Sequence, residues 1–289
     1  IIDHAVSRYG SKVKFLNFRE AADRLQKHLL LDQPLRGEDG SENGVRLLDL
    51  DHDGYLDVVI ANETLRQTRH WSPAKRQWTT TDFPVDVRGP GTRFGLQDKQ
   101  VIALHLGDGV RKGWRWNEKR WTEDPSLVKG LEEVLAEQDG VDQGLRLRDA
   151  DGDGGCEVIV ANESTQAVFQ WAGDHWAPAS LAWPKGTWIT DRQGQDAGLR
   201  FVDIDQDGFD DLLFSRQDRY SLHLWDSDKR GWSIEALAAL RETSDEVPMI
   251  VRNGTNNGAW FHSAQLWAQN ADTPLLPNPV TRPALTPPR

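Results

Sequence analysis

Residues 139–162 read DGVDQGLRLRDADGDGGCEVIVAN, and this stretch decides the fold because it recurs. Residues 39–62 read DGSENGVRLLDLDHDGYLDVVIAN, and residues 193–215 read QGQDAGLRFVDIDQDGFDDLLFS. The shared frame is G-x-x-x-G-[LV]-R-[LF]-x-D-x-D-x-D-G-x-x-[DE]-[LV]-[LIV]. Its arginine falls at Arg46, Arg146 and Arg200. Self-similarity at a fixed period marks a repeat architecture, whose units cannot bury both faces alone.

The interval from Asp49 to Asp149 is about twice that from Asp149 to Asp203, so a degenerate copy is expected between the first two. TRFGLQDKQVIALHL, from Thr92, fits: it keeps the Arg-Phe start and the apolar run but lacks the acidic loop. A fifth copy is expected near Pro248, at PMIVRNG. Tryptophans follow the same period. The pairs Trp71 and Trp78, Trp116 and Trp121, Trp171 and Trp176, Trp225 and Trp232, and Trp260 and Trp267 close successive copies. Turn formers between the partners (SPAKRQW, AGDHW, DSDKRGW) predict hairpins with an aromatic on each strand.

Asp57–Ala61 (DVVIA), Glu157–Ala161 (EVIVA) and residues 211–214 (DLLF) are short aliphatic runs bounded by turn residues, as strands are. A period near fifty with about four short strands predicts an all-β β-propeller, with about five recognisable four-stranded blades. Repeats start near 45, 92, 145, 199 and 248. Residues 1–272 are expected to form a single propeller domain, and residues 273–289 a Pro-rich tail or linker. Residues 17–31 carry apolar side chains at helical spacing, and 127–138 and 234–240 do so more weakly; these are expected as short inter-blade helices.

The acidic loops have the chemistry of a hard cation site. Calcium takes six to eight oxygen ligands. Acidic residues at positions 1, 3, 5 and 9 can surround it, position 7 offers a backbone carbonyl, and glycine at position 6 permits the turn. The expected ligands are Asp49, Asp51, Asp53, Asp57 and the Tyr55 carbonyl in the first loop. They are Asp149, Asp151, Asp153, Glu157 and the Gly155 carbonyl in the second, and Asp203, Asp205, Asp207, Asp211 and the Phe209 carbonyl in the third. Four carboxylates in nine residues repel by about 1 kcal/mol per pair at 4 Å even in water. Three loops in register argue against plain solvated Asp-Gly turns. An EF-hand needs a glutamate at position 12 and an exiting helix. Position 12 is Ile60, Val160 or Phe214, and a strand follows.

The frame [LF]-x-D-x-D-x-D-G-x-x-D-[LV] followed by a strand resembles the FG-GAP/VCBS repeat. The resemblance implies blades similar to those of the integrin α-subunit head, with structural calcium in up to three loops. It spans most of residues 39–270. Glu157, Gly152 and Gly155 depart from the usual pattern in the second loop. The stretch NGAWFHSAQLWAQNADT also resembles the repeat region of large planctomycete-type secreted proteins, some of which carry a c-type haem domain. This chain has no C-x-x-C-H, so no haem is implied.

Composition narrows the function. The net charge of −11 argues against nucleic acid as partner, where a basic patch is the expected footprint. No run approaches the apolar length a membrane helix needs, so membrane insertion is not expected. The single cysteine, Cys156, excludes an intramolecular disulfide. The start Ile-Ile-Asp, with no leader, suggests a processed chain or a fragment. None of the eight histidines joins a compact metal or catalytic motif, and no G-x-S-x-G elbow is present. His52 is expected to face solvent, and His105 and His223 to pack in strands. The expectation is therefore an extracellular or periplasmic, calcium-stabilised interaction module for a protein or glycan. The alternatives are a propeller-scaffold enzyme acting on sugars (a lyase or a quinone-dependent dehydrogenase) and a lectin with tryptophan pockets.

Overall fold

The computed structural model describes residues 2–107, 109–243, 247–262 and 265–270. The expected tail, 273–289, lies outside them. The chain forms two compact units, residues 1–88 and 89–289. It is all-β with propeller-type, four-stranded antiparallel sheets in sequential order.

In the first unit, helix α1 (Ile2–Tyr9) and helix α2 (Phe18–Arg24) precede one sheet. Asn17 opens α2 with a capping box: its side chain accepts the Glu20 N–H while the Glu20 side chain accepts the Asn17 N–H. A wide helical turn, Leu25–Leu29, continues it, so the helix expected over 17–31 is present. Strands β1 (Val45–Leu48), β2 (Asp57–Ala61), β3 (Arg66–Ser72) and β4 (Gln77–Asp82) follow as an up-and-down sheet. Leu30, Val58 and Ile60 form its core, with Leu29 and Trp78 packed on them. Arg69 anchors the preceding segment: it donates to the Leu29 carbonyl and lies 4.5 Å over the Trp78 ring.

In the second unit, the degenerate copy gives β5 (Thr92–Gln97), β6 (Gln100–Gly107), β7 (Val110–Trp116) and β8 (Trp121–Glu123). Asp98 and Lys99 both have positive φ, 51° and 63°. A two-residue hairpin turn thus replaces the acidic loop of the sister copies. The short strands β9 (Glu137–Gln138) and β10 (Val141–Asp142) extend this sheet through a parallel contact at Gly107. Next come β11 (Leu145–Arg148), β12 (Glu157–Ala161), β13 (Gln166–Trp171) and β14 (Trp176–Pro178). A further sheet has β15 (Leu199–Val202), β16 (Asp211–Ser215), β17 (Arg219–Asp226) and β18 (Gly231–Leu240). Every residue of β2, β12 and β16 is buried, which explains their continuous rather than alternating apolar pattern.

The frame residues outside the acidic loop have structural work. Gly44, Gly144 and Gly198 have φ of 67°, 73° and 93°, and a Cβ on any of them would strike the carbonyl ending the neighbouring strand. The frame arginine pairs with an acid four residues earlier: Arg46 with Glu42, Arg146 with Asp142 at 3.1 Å, and Arg200 with Asp196 at 2.7 Å. That acid occupies the third position of the frame in all three copies.

Tryptophan pairs face each other across the outer hairpins. Trp71 is opposite Trp78, Trp116 opposite Trp121, Trp171 opposite Trp176, and Trp260 opposite Trp267. Trp225 and Trp232 meet across a β-bulge with ring centroids 5.1 Å apart. The segment before a sheet docks on the second tryptophan. Trp176 donates its backbone N–H to Lys129 and its indole N–H to Leu127, at 2.9 and 2.8 Å. Trp232 donates its backbone N–H to Ala182, at 2.9 Å, and its ring packs edge-on against Trp183. In these two sheets the second tryptophan therefore serves packing, as hairpin aromatics do.

Three expectations change. Residues 234–240 are not helical but belong to β18, paired along β17. Their alanines favour a helix, and the ladder to β17 overrides that preference. Residues 127–138 hold only the end of a 3₁₀ turn, Pro125–Val128, capped by Asp124 and followed by turns and β9. Gly130, at φ 87°, ends any helical run there. The fifth copy is described as two two-stranded ladders, β19 (Val251–Arg252) with β20 (Thr255–Asn256) and β21 (Ala259–His262) with β22 (Gln265–Ala268).

Candidate functional site

Each acidic loop joins the first two strands of its sheet, and the three share one hydrogen-bond plan. The position-1 carboxylate accepts the N–H of the position-6 glycine: Asp49 from Gly54 at 3.0 Å, Asp149 from Gly154 at 3.0 Å, and Asp203 from Gly208 at 3.2 Å. The position-5 carboxylate accepts the N–H of position 7: Asp53 from Tyr55, Asp153 from Gly155, and Asp207 from Phe209, at 2.8 to 2.9 Å. Gly54, Gly154 and Gly208 have φ of 85°, 90° and 95°. Position 4 is also left-handed, at His52, Gly152 and Gln206. His52 is exposed, as its place in the loop implied.

Position 9 is where the loop enters the buried second strand. Asp57, Glu157 and Asp211 are almost wholly buried. Each holds the loop's position-2 N–H: Asp57 from Leu50 at 3.1 Å, Glu157 from Ala150 at 2.8 Å, and Asp211 from Ile204 at 2.9 Å. Asp57 and Asp211 also accept the backbone N–H of Trp71 and Trp225, the first tryptophan of each pair. Burial pushes the Glu157 carboxyl up to about 7 and the Asp211 carboxyl up to about 6, with the neighbouring carboxylates adding to the rise. Asp57 is raised as well, by burial first.

Ligand atoms of Asp149, Asp151 and Glu157 lie within 4.8 Å of one another, as do those of Asp203, Asp205 and Asp211. The first loop divides into two overlapping groups, Asp49 with Asp51 and Asp53, and Asp51 with Asp57 and His70. Asp153 and Asp207 stand outside the groups of their loops, whereas Asp53 stands inside its own. These oxygen clusters can hold a metal ion: the donors are hard, and each buried position-9 carboxylate asks for a neutralising charge.

Two basic residues outside the acidic frame reach the clusters. His70 Nε2 lies 2.8 Å from Asp51 Oδ2. Arg230, from the turn between β17 and β18, pairs with Asp151. His70 could have been noticed beside the first tryptophan of its pair, but Arg230 had no local signal. His105 Nδ1 meets Thr92 Oγ1 at 2.9 Å, and His223 is buried in β17, its pKa lowered mainly by burial. The Cys156 thiol accepts the Leu96 N–H, and burial raises its pKa. That environment is structural rather than nucleophilic. Among the described residues, no helix is long and apolar enough to cross a membrane.

No curated protein matches the chain. Among solved structures, the chain is similar to the Tc holotoxin pore of Photorhabdus luminescens, at 18% identity and a TM-score of 0.42, covering 81% of this chain and 10% of that one. It is also similar to an Agrocybe aegerita lectin that recognises non-reducing terminal N-acetylglucosamine, at 13% identity and a TM-score of 0.46, covering 67% and 50%. The chain thus spans half or less of these proteins. A family model described as the FG-GAP-like repeat matches residues 149–236, from the second acidic loop through the third and into β18. Over those residues the chain carries the FG-GAP-like repeat.

Proposed function

We propose that this chain is a calcium-stabilised propeller-type interaction module of a larger secreted or periplasmic protein, with its repeats forming one domain. The observation that carries the calcium reading is the threefold recurrence of one loop plan around a buried position-9 carboxylate. Asp49, Asp51, Asp53 and Asp57 would hold one ion, with the Tyr55 carbonyl. Asp149, Asp151, Asp153 and Glu157 would hold a second, with the Gly155 carbonyl, and Asp203, Asp205, Asp207 and Asp211 a third, with the Phe209 carbonyl. Bound calcium supplies the positive charge that relieves carboxylate repulsion and desolvation. The residues themselves fix the loop and, through Asp57 and Asp211, tie it to the tryptophan hairpins.

Modules of this kind outside cells bind calcium at about 10⁻⁴ to 10⁻³ M, which suits extracellular or periplasmic fluid. The binding partner is a protein or a glycan, met by surfaces on loops between the strands. The test is a calcium titration by calorimetry with melting curves in calcium and in chelator. Saturable binding and a raised melting temperature are expected. No binding and coincident melting curves would overturn the calcium reading. A glycan array read with wild type and Trp71→Ala separates a sugar-binding surface from a protein-binding one.

A further inference from the structure

The second loop departs from its sisters at position 7, and a neighbouring sheet fills the space. Tyr55 and Phe209 stand at that position in the other two loops, and Gly155 stands here. The Phe209 ring lies against the preceding sheet's Gly152 and stacks on Trp225, at 5.7 Å and 11°. Gly155 offers no ring. In its place comes Gln97, the last residue of β5, from the sheet before. A Cβ on Gly155 would sit 2.6 Å from Gln97 Oε1 and 3.3 Å from Asp153 Oδ1, so the amide oxygen and the loop carboxylate crowd around one point.

Gln97 is only 3% exposed, and its Oε1 has no hydrogen-bond partner. It lines a cleft of about 600 Å³ together with Asp151, Asp153, Gly155 and Glu157. Leaving such an acceptor unsatisfied costs stability unless a partner arrives. The backbone holds it there. Leu96 accepts the Cys156 N–H at 2.8 Å, and its own N–H goes to the Cys156 thiol at 3.3 Å. The turn at Asp98 and Lys99 follows at once, both residues with positive φ. An uncharged amide oxygen, buried, unpartnered and set in a cleft that the loop carboxylates also line, suits a hard cation and repels a further anion.

We propose that Gln97 is a ligand, from the neighbouring sheet, to the divalent cation of the second loop. The second site is then an inter-sheet site that joins β5 to the loop before β12, whereas the first and third loops bind within their own sheets. This rests on the calcium reading above. Gly155 is the residue that makes the arrangement possible, since a side chain there would displace the amide.

The experiment is calcium calorimetry on the full chain, wild type against Gln97→Ala, Asp149→Asn and the double variant, with hydrogen exchange of wild type with and without calcium. Gln97→Ala is expected to weaken one class of site by about tenfold and leave the others unchanged. In the Asp149→Asn background, Gln97→Ala is expected to change nothing further. Calcium is expected to slow exchange at residues 97–100 in the wild type. Calcium binding by the wild type with no effect of Gln97→Ala and no protection of 97–100 overturns the role of Gln97 and leaves the calcium reading intact. Absence of calcium binding by the wild type overturns both. The exchange measurement needs no variant, so a folding defect in Gln97→Ala does not shelter the proposal.

Discussion

Asp211 holds the backbone N–H of Trp225 at 2.9 Å, and with its other carboxylate oxygen it holds the N–H of Ile204 at the same distance. One buried side chain therefore pins the acidic loop to the outer hairpin of its sheet. Asn at this position can offer an acceptor to only one of those two donors. Asp211→Asn is expected to lose about 1–3 kcal/mol in calcium-containing buffer and to lower the calcium stoichiometry by one. Urea unfolding and calorimetry read both. An unchanged midpoint and stoichiometry would contradict the role given to Asp211.

The raised carboxyls predict an inverted pH dependence in the absence of calcium. Glu157 titrates at about 7 and Asp211 at about 6 in the fold, against ordinary values of 4.5 and 3.8. The folded state thus favours their protonated forms, so calcium-free stability from these groups is full below the ordinary values. It is lost as pH rises through 6 and 7. Calcium needs the ionised forms, so its stabilising effect is expected to grow over the same interval. Melting curves from pH 5 to 8, in calcium and in chelator, should diverge upward with pH. Parallel curves would refute this.

Arg230 pairs with Asp151, so it would compete with a cation bound there. Arg230→Ala is expected to tighten calcium binding at one site severalfold and to leave the other sites alone. Since the guanidinium is more than half exposed, the gain should shrink in high salt. Calorimetry at two ionic strengths checks it; weaker calcium binding by the variant would show that Arg230 supports the loop instead.

The contact of Trp176 with the preceding segment separates packing from hydrogen bonding. Its ring is 1% exposed and its indole N–H goes to Leu127. Trp176→Ala is expected to cost about 3–5 kcal/mol through the cavity it leaves. Trp176→Phe keeps most of the packing and strands the Leu127 carbonyl, at about 1–3 kcal/mol. Chemical denaturation measures both; equal costs would mean that the hydrogen bond carries the effect.

Much of this was legible in the repeat. The recurring Asp-x-Asp-x-Asp-Gly placed the loops between strands, and the tryptophan spacing placed the hairpins, because both are local patterns with a fixed period. Residues 234–240 misled, since alanine-rich stretches carry a helical preference that only the partner strand β17 overrides. The glycine at Gly44, Gly144 and Gly198 was visible as a frame residue, but the carbonyl it avoids lies in the next strand.

By itself, the sequence determined the all-β class, the strand starts, the acidic loops and the aromatic pairing, all set by neighbours along the chain. Tertiary structure alone decided which charges meet those loops. His70 and Arg230 reach their carboxylates from another strand and from another sheet. It also decided which of the carboxylates are buried enough to titrate near neutrality. Desolvation and electrostatic contact depend on distance through space, and spacing along the chain does not encode that distance.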